Sequence, residues 1–220
     1  MRDIALTPSE TADIDGETPR LNRRQAAKVR TRQKVLDAAR GLFAERGYEP
    51  ATIRDIAKGA GMSTGAVFAN FQDKAELFEA VLSEDMIKLA GALKAAAAGE
   101  TSLRARLLAV LTAGYHNSLE QLPLVQAVLA RSWFQPVAAE MRTREAIKPL
   151  ISVVTDALQA GVADRELRQD ADVRLLSDLI YDAYLSNYRR AAYDGWTMQQ
   201  LAPRIAKQID VILAGQLSRQ

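Results

Sequence analysis

Cysteine does not occur in the 220 residues, so disulfides, thiolate nucleophiles and cysteine-held metals are excluded. Histidine occurs once, at His116. No metal-ligand spacing, glycine-rich phosphate loop or Ser/His/Asp signature is present, so neither an enzyme nor a cofactor is expected. Asp178 and Asp182 lie four residues apart and read as a solvated helix face rather than an acid couple. Strand-type alternation is missing throughout. A charged-then-apolar leader is missing too, as is an uninterrupted apolar run of bilayer length. The expectation is a soluble cytoplasmic chain without a membrane partner, and the lack of cysteine suits a reducing compartment.

What is present is an uneven distribution of charge. The net charge is only +2, yet residues 20–48 carry nine lysines and arginines against Asp37 and Glu45. Residues 1–19 are acidic, with Arg2 opposed by Asp3, Glu10, Asp13, Asp15 and Glu17. From residue 81 onward the charges nearly balance, 16 basic to 15 acidic. A basic block beside a neutral body is the layout of a polyanion-binding module attached to something else.

Helical periodicity runs through the rest, and the fold class is all-α. Residues 1–29 form an extension, acidic then basic and partly disordered, in which Thr18–Pro19 is a possible helix start. Val35, Leu36, Ala39, Leu42 and Phe43 make one stripe over 30–46, closed by Gly47. Thr52 with Asp55, Ser63, and Asp73 with Glu76 read as successive N-caps. The helix opened by Asp73 extends to Leu89 or Leu93. Further helices are expected over 103–119, 122–133, 138–160 with Pro149 inside, 172–193 and 197–217, with a polar loop at 161–169.

The segment 53–72 carries the function. A helix-turn-helix needs a small residue where its helices cross, supplied by Ala57, and a positive φ in the turn, supplied by Gly61. Ile53, Ile56, Met62 and Val67 are spaced to hold the pair on the 30–46 helix. The second helix opens Ser63, Thr64, Gly65, Ala66. Small residues there allow close approach to base edges in the major groove, and Arg54 and Lys74 flank it where phosphates run.

Residues 30–78 resemble the DNA-binding domain of the TetR family of transcriptional regulators. The matches are Ala38–Ala39, Leu42–Phe43, Gly47–Tyr48, Thr52, Asp55–Ile56–Ala57, Ala60–Gly61, Ser63, Gly65, Phe71 and Lys74–Ala75–Glu76–Leu77. The resemblance implies that Thr52 and Lys74 hold phosphates, that Ser63, Thr64, Gly65, Ala66 and Asn70 face the groove, and that Arg54 reaches a phosphate or base. Phe68 stands where the family usually has tyrosine, which leaves packing against sugar or a thymine methyl. Ala69 replaces a larger, often polar residue.

The resemblance further implies a helical ligand-binding and dimerisation domain over 79–220, a homodimer on an inverted-repeat operator in double-stranded DNA, and a small-molecule ligand that releases the repressor. Stripes at Leu176, Ile180, Ala183 and Tyr184, and at Leu201, Ile205, Ile209 and Ile212, suit a four-helix dimer interface or, alternatively, the monomer's own core. Tyr115, His116, Trp133, Phe134, Tyr181 and Tyr188 are candidate pocket residues. The rival reading is a helical protein-interaction module whose helix-turn-helix does not bind DNA.

Overall fold

The computed structural model describes residues 22–132 and 134–218. Among these, nine α-helices follow one another with no extended sheet. α1 (Arg23–Arg46) is capped by Asn22 in a reciprocal box with Gln25, so its first turns lie inside the stretch read as an extension. Thr18–Pro19, the expected start, falls outside the described residues. α2 (Ile53–Gly59), α3 (Thr64–Phe68) and α4 (Lys74–Ala97) are capped by Thr52, Ser63 and Asp73 as expected. Glu76 departs from the expected box: its carboxylate accepts from the Gln72 amide, 2.6 Å away.

α5 (Leu103–Leu119), α6 (Leu122–Ser132), α7 (Val137–Ala163), α8 (Val173–Asp194) and α9 (Met198–Leu213) complete the body. α7 outruns its expected end and carries Pro149 internally. By length and composition it is apolar enough to cross a bilayer, but it packs along α4, α5 and α8. Residues 166–168 and 216–218 exchange backbone hydrogen bonds in a short antiparallel bridge, which closes the C-terminus onto the loop after α7.

Two apolar cores result. The smaller gathers Val35, Leu36, Ala39 and Phe43 from α1, Ile56 and Ala57 from α2, Val67 from α3 and Leu77, Phe78 and Val81 from α4. Phe43 and Phe78 meet edge to face at 5.3 Å. The larger gathers α5, α7, α8 and α9 around the second half of α4, through Leu89, Ala90 and Leu93. α4 therefore belongs to both cores. It does not join them alone, because α6 also lays Ala127 and Val128 against the smaller one.

Candidate nucleic-acid interface and ligand cavity

The turn between α2 and α3 is built as its composition requires. Ala57 is 2% exposed at the crossing, and its carbonyl accepts from the Met62 amide. Gly61 sits at φ 67°, where a side chain would be strained. α3 buries Val67 and leaves Ser63, Thr64, Gly65 and Phe68 exposed, so the face that would read bases is not used for packing. Ala66 is half-buried. Arg54 projects from α2 and is exposed, as is Thr52. The Thr52 hydroxyl caps the Asp55 amide and donates to the Asp55 carboxylate at 2.7 Å.

Two of the expected DNA contacts are otherwise engaged. Asn70 turns its amide back onto α3, donating to the Ala66 carbonyl at 2.9 Å, and its own carbonyl accepts from Arg32. In the chain alone its side chain is thus tied back to the last turn of α3. Lys74 gives its three N–H groups to the carbonyls of Tyr48, Glu49 and Ala51, at 3.0, 3.2 and 3.1 Å. Its ammonium also lies 4.2 Å from the Tyr48 ring centre. An ammonium has three donors, and in the chain alone all three are taken by these carbonyls. At the start of α1, Arg23, Arg24, Lys28 and Arg30 are all exposed before the first buried residue, Val35. Arg20 lies outside the described residues.

The dimer stripes are turned inward. Leu176 and Tyr184 are 4% and 5% exposed, and Ile180, Leu201, Ile205 and Ile209 are fully buried within the single chain. Ala183 and Ile212 pack against the same core. The stripes face α5 and α7 because two adjacent amphipathic helices bury their apolar faces within the chain first. α8 presents Leu175 and Leu179 outward instead, and α9 presents Val211.

A cavity of about 340 Å³ lies between α4, α5, α6, α7 and α8 and reaches α1 at Arg40. Such a volume is at the lower end for small-molecule sites. Leu82, Met86 and Leu89 of α4 form one wall, and Val125, Leu129, Leu150 and Leu185 form others. Of the expected pocket residues, Tyr181 and Tyr188 line it. Tyr115 is fully buried behind Tyr184, stacked at 4.4 Å. His116 is exposed, Phe134 is 91% exposed, and neither lines the cavity. Trp133 falls outside the described residues. Periodicity shows which residues share a helix face, but not which gap between helices stays unfilled. The i, i+4, i+7 spacing of Leu82, Met86 and Leu89 was the available signal.

The cavity has two polar ends. At one, Tyr184 and Tyr188 join hydroxyls at 2.7 Å, with Ser118 beside them in the wall. Burial raises the pKa of both phenols and pushes Tyr181 up to about 12, so these groups stay protonated donors. At the other end, Arg40 reaches from α1 to Asp85 and Glu84 of α4, both at 2.7 Å, and to Asp37 at 2.8 Å. Burial opposes the Arg40 charge, but the three carboxylates outweigh it and raise the pKa above the ordinary arginine value.

Comparison with known proteins agrees with this geometry. The family described as bacterial regulatory proteins, tetR family, matches residues 35–81. The repressor KstR2 of Mycolicibacterium smegmatis is 30% identical over 154 residues, 69% of this chain and 74% of that one. KstR2 of Rhodococcus jostii is 28% identical over 184 residues, 80% and 82% of the two chains. The repressor AcnR of Corynebacterium efficiens is 47% identical over 62 residues, but that match spans only 28% of this chain and 33% of AcnR. Among solved structures, FadR of Bacillus subtilis in complex with stearoyl-CoA superimposes with a TM-score of 0.71 at 18% identity, covering 83% of this chain and 98% of that one.

Proposed function

The chain belongs to the tetR family of bacterial regulatory proteins, and from that premise we propose that it represses transcription as a homodimer released from its operator by a small apolar-bodied ligand. The observation that carries the DNA reading is the exposed face of α3, bounded by the exposed cations of α1. Ser63, Thr64, Gly65 and Ala66 enter the major groove, Phe68 packs on sugar or a thymine methyl, and Arg54, Thr52 and the start of α1 contact phosphates. A second copy joins through the outward residues Leu175, Leu179 and Val211, because one short recognition helix reads too few bases to bind alone. Its place of action is the cytoplasm, with the DNA.

The cavity supports the ligand half of the proposal. FadR of Bacillus subtilis was solved with stearoyl-CoA and FadR of Thermus thermophilus with lauroyl-CoA. A long apolar chain is the kind of body that Leu82, Met86, Leu89 and Leu185 accept. Because α4 lines the cavity and its first turns pack on α1 and share the smaller core with α2 and α3, a ligand that shifts α4 changes the separation of the two recognition helices. Half-site spacing follows the DNA repeat of about 34–36 Å, so a small shift spoils simultaneous docking. The test is fluorescence anisotropy on fragments of the chain's own upstream region. An inverted repeat should be bound with a log–log salt slope of about −0.9 per phosphate neutralised. Affinity that does not change with salt would refute the phosphate-based mechanism. By reciprocity a ligand must bind the operator-saturated dimer more weakly than the free one; equal affinities would reduce the body to a scaffold.

A further inference from the structure

We propose that Tyr184, seated by Gly114, sets how long an apolar ligand the cavity accepts, so that the wall of Leu150, Tyr181 and Tyr184 measures the ligand's tail. This rests on the cavity being the ligand site, and it adds a size limit to that reading. The first observation is that these three side chains line two separate spaces. On one side lies the cavity of about 340 Å³. On the other lies a void of about 20 Å³, walled by Leu93, Val110, Leu111 and Val154 of the larger core. That void has room for about one water, so a tail entering the cavity stops at the wall instead of passing it.

The second observation is how Tyr184 is held. Its ring stacks on Tyr115 at 4.4 Å. Tyr115 is itself fixed, donating to the Tyr184 carbonyl at 3.2 Å and accepting from Asn187 at 2.9 Å. The Tyr184 hydroxyl pairs with that of Tyr188 and lies against the bare backbone of Gly114 on α5. A methyl group at Gly114 would overlap this hydroxyl and stand 3.1 Å from Cζ. Gly114 lies within α5 and has no positive φ, so its backbone does not call for glycine. Glycine inside a helix is less favourable than alanine, and what it supplies here is room for the ring. With the hydroxyl engaged and turned to α5, the wall offers an apolar tail the ring and Leu150. Adding the methyl drives Tyr184 away from α5. Tyr115 blocks one side and the void is too small, so the ring moves into the cavity and shortens it.

The experiment uses the full chain and probes with one head group, the even-numbered straight-chain 1-alkanols from hexanol to tetradecanol, each titrated by calorimetry below its solubility limit. In the wild type, affinity should rise about tenfold for each two methylenes buried and stop rising at the alkanol whose tail reaches the wall. Gly114→Ala should bring that limit to a shorter alkanol, weakening the longest at least tenfold while leaving hexanol unchanged. Tyr184→Leu should carry the limit to a longer alkanol. Gly114→Ala added to Tyr184→Leu should not shorten it again, since the hydroxyl that met the methyl is gone. Should either variant fail to fold, Tyr181→Leu in the same wall decides, with a longer limit expected. A limit shared by the wild type and any folded single variant would overturn the measuring wall and leave the cavity reading intact. Binding of none of the alkanols would overturn both.

Discussion

The two cores differ in where they keep their polarity. The smaller one buries aromatic and aliphatic side chains and holds its polar groups at the rim, as caps and as the Lys74 tie. The larger one buries polar groups inside: Tyr115, Asn187 and Ser177, with the Tyr184–Tyr188 pair beside an open volume. Close packing leaves few alternative arrangements, which suits a unit that must offer a fixed surface to DNA. A body with a cavity and a network of exchangeable hydrogen bonds has neighbouring arrangements that a bound molecule can select. On the proposed function the small unit is thus the rigid reader, and the body is the part able to respond.

That contrast is broken most directly by hollowing out the reader. Phe43 is fully buried, and Phe43→Ala should cost about 3–5 kcal/mol. Operator binding should be lost while the body keeps its helicity and its ligand affinity. Denaturation followed by circular dichroism should show an early transition; a single cooperative loss of everything would mean that the two cores are one.

The next largest effect is expected at Lys74. Removing its ammonium breaks three charge-assisted hydrogen bonds, so Lys74→Met should lower stability by about 1.5–3 kcal/mol in the absence of DNA. A residue that only touched phosphate would leave the free protein's melting temperature unchanged, so thermal melting separates the two roles.

Alkaline pH should attack the body first. Burial holds Tyr181 at about 12 against an ordinary 10.0, and it raises Tyr115, Tyr184 and Tyr188 as well. Below pH 10 these phenols are protonated in both states, and stability does not depend on them. Above it the unfolded chain ionises while the folded chain does not, so stability falls as pH rises through the folded values. Tyr181 alone accounts for about 2 kcal/mol by pH 12. Phenolate absorbance should rise together with loss of helix; ionisation that precedes unfolding would show the network to be solvent-open.

The smallest effect belongs to the exposed start of α1. Arg24→Ala and Lys28→Ala should change stability by no more than about 0.5 kcal/mol, yet each should flatten the salt dependence by about 1.8 in slope, about 0.9 for each of the two protomers, if it meets a phosphate. Unchanged slopes would make these turns a solvated overhang.

The reader was legible in the residues because its signals are local. Gly61, Ala57 and the caps Thr52, Ser63 and Asp73 each answer a backbone demand within a few positions, and the structure meets those demands there. The Lys74 tie was not legible, because the carbonyls that hold it lie 23–26 residues away, beyond any local pattern. The stripes of α8 and α9 were real, but an apolar stripe does not state what covers it, and here it is the chain itself. The cavity was least legible, since it depends on what five helices fail to fill. Arg40 and Asp85 carry no signature until α1 and α4 are laid side by side.

The Lys74 tie has a mechanical consequence. It fastens the first turn of α4 to the loop that leads from α1 into α2, while Asp73 and Glu76 secure the chain arriving from α3. Torque applied along α4 is therefore delivered to the whole three-helix unit, with little free play at the joint. On the proposed release mechanism the recognition helix would swing as the far end of a stiff arm, and its displacement would grow with its distance from the pivot. A movement in the cavity too small to alter any single contact at the reader would then be amplified at the DNA surface, where half-site spacing follows the DNA repeat.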